Sequence, residues 1–433
     1  MSSPPDLVGG LRGLDDLAAL ERGRHRVVVD AGTDTVVERT QQADLCAEVE
    51  AFAGWSTTLD EPARRIRREI LDLVRAQWLP IAGASFLEGR FPQALFRELG
   101  RRGAIGASLV GRDGRPPLSR VATCAIMHAL EYGDGGLRCA VTIQDSVIQA
   151  VVRFGSERQR ARWLQPLCEG EVLASFALTE PDAGSDVRAV ATSARRDGDG
   201  WLLTGRKTWI TNAPSADVVL VWARTGERND DLRGFLVERG TAGLVIEPIA
   251  HAASMRAAPV GRITLDRVRV PEDALLPHAW GLTDVNACLD YNRMTVLFGV
   301  MGAARFCLET AIDHAMTRRQ FDAPIGSRQL VQSQLADMAT LVAIGELATL
   351  RLATRWQQGE LTRFDVSMGK RSTCAAALDV ARRARSLLGA QGVDLDRHVT
   401  RHLLNLEASS TYGGTHDIHA LVMGRLLTGE NAF

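Results

Sequence analysis

The spacing of apolar residues changes period twice along this chain, so its elements must run helices, strands, helices. From Glu61 the segment EPARRIRREILDLVRAQWLP puts Ile66, Ile70, Leu73 and Val74 on one helical face and Arg and Glu on the other. This amphipathic helix is expected to stop near Pro80, because proline lacks the N–H that a helix interior needs. Further helical patterns cover 92–102, 118–131, 142–154 and 156–167. Near residue 175 the period shortens: ATSARRDGDGWLLTGRKTWITN, ADVVLVWART and RGFLVERG are short alternating or β-branched runs divided by Asp-Gly and Gly turns. After GRITLDRVRVPEDALLP, helical periodicity returns from about Thr283 and persists. The expected class is α+β: an extension at 1–55, a helical domain at 56–175, a β domain at 176–283 and a helical domain at 284–433.

Composition sets the outer limits. With 433 residues, 45% of them hydrophobic, the chain can bury a large core and divide into two or three globular parts. Lys plus Arg number 51 against 52 for Asp plus Glu, and a formal charge of -1 gives no long-range pull toward nucleic acid or an anionic membrane. The seven cysteines are odd in number and never spaced as CxxC, which argues against a disulfide framework and against a metal site. The start, MSSPPDLVGGLRGLDD, lacks a basic segment followed by an apolar run. No stretch approaches the roughly 18 consecutive apolar residues of a membrane span. A cytoplasmic location is expected.

Four segments carry the chemistry: FALTEPDAGSD (Phe176 to Asp186), KTWITN (Lys207 to Asn212), RRQFDAPIGSRQ (Arg318 to Gln329) and YGGTHDIHAL (Tyr412 to Leu421). Their order resembles that of the acyl-CoA dehydrogenases, and LEYGDGGLRCAVTIQ with NLEASSTYGGTHDIHAL resembles the glutaryl-CoA dehydrogenase branch. The resemblance implies a helical N-terminal domain, a middle β-barrel or sheet domain and a C-terminal four-helix bundle. It also implies FAD, held in part by a neighbouring subunit of a homotetramer. An isoalloxazine ring needs a few placed polar groups and an apolar or aromatic wall. On the matching positions, Phe176, Leu178, Thr179 and Thr211 flank the ring, Trp209 forms its wall, and Gly184 and Ser185 let backbone amides approach a pyrophosphate. Arg318, Phe321 and Gln329 match contacts to the cofactor's diphosphate and adenosine, Gln391 and Gly392 match a second cofactor loop, and Thr415 and Asp417 complete the set. Each residue alone reads equally well as packing, or as a solvated helix end.

The same resemblance isolates an anomaly. The related enzymes remove a proton α to a thioester with a carboxylate that directly follows the tyrosine, or with one on an earlier helix just before an arginine. Here Gly413 follows Tyr412, and Asn292 precedes Arg293. Losing a positioned general base typically costs about 10²- to 10⁴-fold in rate. A relocated base (Asp290, Asp145 or Tyr412) is one resolution. Another is a carbanion made by losing CO2. Arg138 matches the arginine that engages the distal carboxylate of glutaryl-CoA, and a guanidinium fork suits a carboxylate; in the bland alternative it caps a helix or pairs with Asp134. A kept carboxylate grip beside a missing base resembles the epoxyketone synthases. Those enzymes decarboxylate an α,α-dimethyl-β-keto acid of a peptide-polyketide, desaturate it, and epoxidise the enone with O2 through a flavin peroxide. The resemblance implies a carboxylated acyl or β-keto acid substrate, free, CoA-linked or on a biosynthetic carrier protein.

Overall fold

The computed structural model describes residues 48–431 apart from 113, 227, 229 and 230, so most of the expected N-terminal extension lies outside the described residues. Helix α1 (Glu61–Leu73) starts where the Asp60 carboxylate accepts the Ala63 N–H at 2.9 Å, and it buries Ala63, Ile66, Ile70 and Leu73. The expected stop at Pro80 is not observed. A π-helical turn, Val74–Trp78, passes directly into α2 (Leu79–Glu88), and Pro80 falls in the first turn of this new segment. There its missing N–H would have no helical partner in any case. Helices α3 (Gln93–Arg101), α4 (Arg120–Gly133), α5 (Gly135–Phe154) and α6 (Glu157–Cys168) follow.

Helix α5 begins seven residues earlier than its apolar period indicates. The Asp134 carboxylate caps it, accepting the N–H groups of Gly136 and Leu137 at 2.5 and 3.2 Å. Gly136 at its start is a close approach: a Cβ there would lie 3.0 Å from the Ala257 side chain.

The strands form a seven-stranded sheet. In chain order they are β1 (Ala174–Ala177), β2 (Ser193–Asp197), β3 (Gly200–Thr211), β4 (Val218–Arg224), β5 (Leu232–Glu238), β6 (Leu244–Pro248) and β7 (Val260–Pro271). Their spatial order is β1-β4-β2-β3-β7-β6, with β5 also on β4; β1 runs parallel to β4, whereas β3 and β7 pair antiparallel. The apolar run of β4 is buried on both faces, as its unbroken VVLVWA requires. The first strand starts at Ala174 and the next helix at Gly281, two and three residues before the expected limits of the β domain.

Helix α7 (Gly281–Thr317) is long and apolar enough to cross a membrane, yet 89% of its most apolar window is buried inside the fold. It is a core helix. A two-stranded hairpin, β8 (Arg319–Gln320) and β9 (Ala323–Pro324), leads to α8 (Gln329–Gln358), α9 (Arg363–Leu387), α10 (Val399–Ser409) and α11 (His416–Thr428). Between α4, α7 and α8 lies the buried Glu346. Its carboxylate accepts from Trp55 Nε1 (2.7 Å), His128 Nε2 (2.9 Å) and the Arg305 fork (2.7 and 2.5 Å).

Candidate functional site

Tyr412 follows α10, and its hydroxyl meets Arg138 of α5. Arg138 is fully buried; its Nε donates to the Glu131 carboxylate at 2.6 Å, and its Nη2 to Tyr412 Oη at 2.5 Å and to Ser409 Oγ at 3.4 Å. Gly299 of α7 makes this possible, since a Cβ there would lie 2.3 Å from Glu131 Oε2 and 2.9 Å from Arg138 Nε. Burial opposes the arginine's charge, but Glu131 and Tyr412 hold its pKa well above the ordinary value. Its partner is therefore Glu131 and not Asp134, whose carboxylate pairs with Arg401. One Arg138 nitrogen, Nη1, is buried without a hydrogen-bond partner among the described residues. A ligand acceptor is what such a nitrogen lacks.

After Tyr412 the backbone is left-handed at both Gly413 (φ 67°) and Gly414 (φ 97°). Three side chains hold these carbonyls. Arg293 Nε donates to Gly413 O at 3.0 Å, His419 Nε2 lies 3.2 Å from the same oxygen, and Lys370 Nζ donates to Gly414 O at 2.7 Å. Burial, with Lys370 and Arg293 nearby, pushes His419 down to about 4. It is neutral, and its bonds fit Nε2–H donating to the carbonyl while Nδ1 accepts from Ser367 Oγ at 3.1 Å. A cavity of about 360 Å³ opens beside this turn, lined by Asp290, Arg293, Arg363, Ser367, His419 and Arg425 among others.

The other acid candidates are held differently. Asn292 is buried against α5, its Oδ1 accepting from Ser146 Oγ. Both oxygens of Asp145 are engaged, by Gly106 N–H at 2.7 Å and Tyr291 Oη at 2.8 Å. Burial pushes Asp145 up to about 7 against those donors. Asp290 is the acid that lines the cavity, and it pairs with Arg293 at 2.6 Å. Tyr412, as a base, is hampered by burial, which drives its hydroxyl well above the ordinary tyrosine value.

The residues matched to a flavin fall into two groups. In the first, Thr179 and Thr211 are half-buried beside one another's strands, Thr208 N–H donating to Thr179 O at 3.0 Å, while Trp209 projects from β3 with 60% of its surface exposed. Thr211 Oγ1 lies 3.9 Å from Cys139 Sγ, which brings it one residue from Arg138. Gly184 and Ser185 are exposed, with open space where a Gly184 Cβ would point. Phe176 and Leu178 differ: both side chains are buried, Phe176 tilted on Trp222 at 6.0 Å. They pack the core and leave only backbone for a ligand.

In the second group, Arg318 and Gln391 line a cavity of about 210 Å³ together with Thr310, His314, Thr317 and Arg397. Phe321 is 89% exposed at the hairpin tip, and Gln329 is exposed at the start of α8. Gly392 has a local reason to be glycine, because a Cβ would lie 2.0 Å from the Arg385 carbonyl. Thr415 caps α11 by accepting Ile418 N–H at 3.1 Å, with Asp417 exposed in the first turn.

Three residues inside the motifs position the others. Lys207, buried, donates to Leu178 O at 2.9 Å and Glu180 Oε1 at 2.8 Å, and Glu180 accepts the Ala191 and Thr192 N–H groups at 2.7 and 2.9 Å. Asn212 Nδ2 lies 3.2 and 3.3 Å from the carbonyls of Ala140 and Ala174, joining α5 to β1. Together they fix Thr179 and Thr211 against the helix that carries Arg138.

The acyl-CoA dehydrogenase N-terminal, middle and C-terminal domain families match residues 60–171, 175–268 and 280–428. The mitochondrial short-chain specific acyl-CoA dehydrogenase of Bos taurus is 30% identical over 377 residues, 86% of this chain and 92% of that protein. A glutaryl-CoA dehydrogenase of Desulfococcus multivorans is 31% identical over 352 residues, 79% of this chain and 90% of that one. Among solved structures, a glutaryl-CoA dehydrogenase from Mycobacterium smegmatis has a TM-score of 0.85 at 40% identity, covering 89% of this chain and 99% of that one. A glutaryl-CoA dehydrogenase from the same organism in complex with FADH2 has a TM-score of 0.84 at 37% identity, covering 87% and 97%.

Proposed function

Because the chain belongs to the acyl-CoA dehydrogenase family, we propose that it is an FAD-dependent oxidoreductase that makes its carbanion by decarboxylating a β-keto acid. The cofactor is FAD. The residues fit it: Thr179, Thr211 and the open Trp209 suit the ring, and the cavity of Arg318 and Gln391 suits the diphosphate. When bound, FAD accepts a hydride, and in its reduced form it activates O2.

The carrying observation is the turn at Gly413. No carboxylate stands there, and the left-handed backbone is clamped through its carbonyls by Arg293, His419 and Lys370. Arg138, charged and with one N–H direction unpartnered, orients the substrate carboxylate. The bond between that carboxylate and the α carbon breaks, CO2 leaves, and the electron pair becomes an enolate. No α proton is removed, so a quaternary α carbon is accepted beside Gly413. Loss of hydride from the β carbon to the bound FAD would then give an enone; one atom of O2 would form the epoxide of an α,β-epoxyketone of natural-product type, while the other would leave as water with the two electrons of the reduced cofactor. A second reading, an acyl-CoA (glutaryl-CoA-like) dehydrogenase with a displaced base, is favoured by Asp290, which lines the cavity beside Arg293.

Anaerobic mixing separates the two. An α,α-dimethyl-β-keto acid should bleach the flavin absorbance and release CO2, whereas glutaryl-CoA and short acyl-CoAs should not. Bleaching by a simple acyl-CoA that disappears in Asp290→Asn would establish the displaced base instead. Gly413→Glu is expected to give no gain in turnover of the keto acid. A side chain at φ 67° costs about 1–2 kcal/mol, and it would crowd the quaternary carbon. A faster variant would contradict this.

Arg293 and Arg318 stand about 37 Å apart along α7 at ~1.5 Å per residue. That separation supports a cofactor held by one copy and contacted by Arg318 of another, hence a homo-oligomer, by family resemblance a tetramer. A carrier protein remains a candidate vehicle for the acyl group.

A further inference from the structure

Lys370 of α9 is 1% exposed, and its ammonium has one hydrogen-bond partner, the Gly414 carbonyl at 2.7 Å. No carboxylate pairs with it among the described residues. The acids of this region are already matched, Glu131 with Arg138 and Asp290 with Arg293. The charged neighbours that act on it, Arg293 and Arg138, have its own sign. A buried cation without a counter-ion is costly by several kcal/mol, so such a group gives up its proton more readily or gains an anion.

The position without a side chain, Gly413, stands beside it. A Cβ built on Gly413 would lie 3.6 Å from Lys370 Cε and 3.9 Å from Arg293 Cγ, ordinary contact distances with no clash. The absent side chain thus leaves room for a small group against the stems of two cations. The cavity lined by Arg293 and His419, each bonded to the Gly413 carbonyl, opens next to it.

We propose that Lys370 is a specificity-determining residue, and that a carboxylate of the substrate enters this space beside Gly413 to pair with its ammonium. The inference rests on reading this site as one that binds a carboxylated acyl substrate. It does not depend on decarboxylation, because a carboxylate that is retained through turnover satisfies Lys370 equally.

The test is calorimetric titration of the FAD-loaded protein, photoreduced so that it cannot oxidise ligand. The probes are the N-acetylcysteamine thioester of glutarate and the methyl ester of that same compound. Wild type should prefer the carboxylate at least tenfold. Lys370→Met, which also frees the Gly414 carbonyl, should lower carboxylate affinity at least fivefold more than ester affinity, while Lys370→Arg should keep part of the preference. An undiminished preference in Lys370→Met, equal weakening of both probes, or no preference in wild type would overturn the proposal.

A second measurement needs no variant. Burial, together with Arg293 and Arg138, pushes Lys370 down to about 8, with Cys374 acting the other way. The ammonium must be charged to pair, so carboxylate affinity in wild type should fall as pH rises through 8 while ester affinity stays level. A flat carboxylate Kd from pH 7 to 10 would also refute it. Failure of the keto acid to release CO2 touches only the decarboxylation reading, since the titrations involve no turnover.

Discussion

Arg138→Ala should lower kcat/KM for the carboxylated substrate by about 10²- to 10³-fold, the range expected when one member of a buried, hydrogen-bonded charge pair is truncated. The effect should be selective. An uncharged analogue, which has nothing for the guanidinium to hold, should lose less than threefold. Stability must be measured alongside, because the variant strands Glu131, now bonded to Arg138 Nε at 2.6 Å. The pair Arg138→Met with Glu131→Gln removes that stranded charge, and it should regain stability without regaining the carboxylated substrate. Equal losses on charged and uncharged substrates would remove Arg138 from the binding site.

Glu346→Gln should destabilise the fold by about 3–5 kcal/mol, read from the denaturant midpoint. The carboxylate accepts from Trp55, His128 and both donor atoms of the Arg305 fork, and a neutral amide cannot answer all of them. Burial opposes the charge of Glu346, but Arg305 and His128 outweigh it and hold the carboxyl down at about 2 against an ordinary 4.5. The sign follows from linkage. The folded pKa is depressed, so the stabilisation is complete above pH 4.5 and is lost as pH falls through 2. The glutamine variant lacks this component, and its stability should therefore fall less steeply than wild type between pH 4.5 and 2. A loss under 1 kcal/mol would show that the cluster is not an anchor between α4, α7 and α8.

The order of helices, strands and helices was legible because apolar spacing reports directly which face is buried. Local chemistry was harder to read. Pro80 reads as a stop, yet a π-turn ahead of it restarts the helix. The apolar period places the next helix from 142, yet it starts at Gly135, capped by Asp134, with Gly136 against Ala257. The partner of Arg138 could not be chosen from sequence. Asp134 is nearer along the chain, but the residue that meets it is Glu131, one helix earlier. Phe176 and Leu178 sit inside a flavin-like motif and pack inward: Phe176 lies on β1, which is covered on both faces, and Leu178, just beyond the strand, is buried as well.

Lys207 and Lys370 show why buried lysines escape notice: lysine is ordinarily a solvated residue. A signal for Lys370 nevertheless existed. Val366, Thr373, Cys374 and Ala377 surround its position on one face of α9, and all of them are buried. A lysine on an apolar stripe needs a polar destination, and here it is the turn after Tyr412.

The paired left-handed glycines also bear on what the turn tolerates. A side chain introduced at position 413 would have to adopt a backbone that side chains avoid, although it would meet only ordinary contacts with the stems of Lys370 and Arg293. At position 414 a Cβ would lie 2.8 Å from His419 Nε2, a ring already fixed by Ser367. The two positions thus favour glycine for different reasons, backbone conformation alone at 413 and both conformation and crowding by a fixed ring at 414, and only the first could take a side chain without displacing a neighbour.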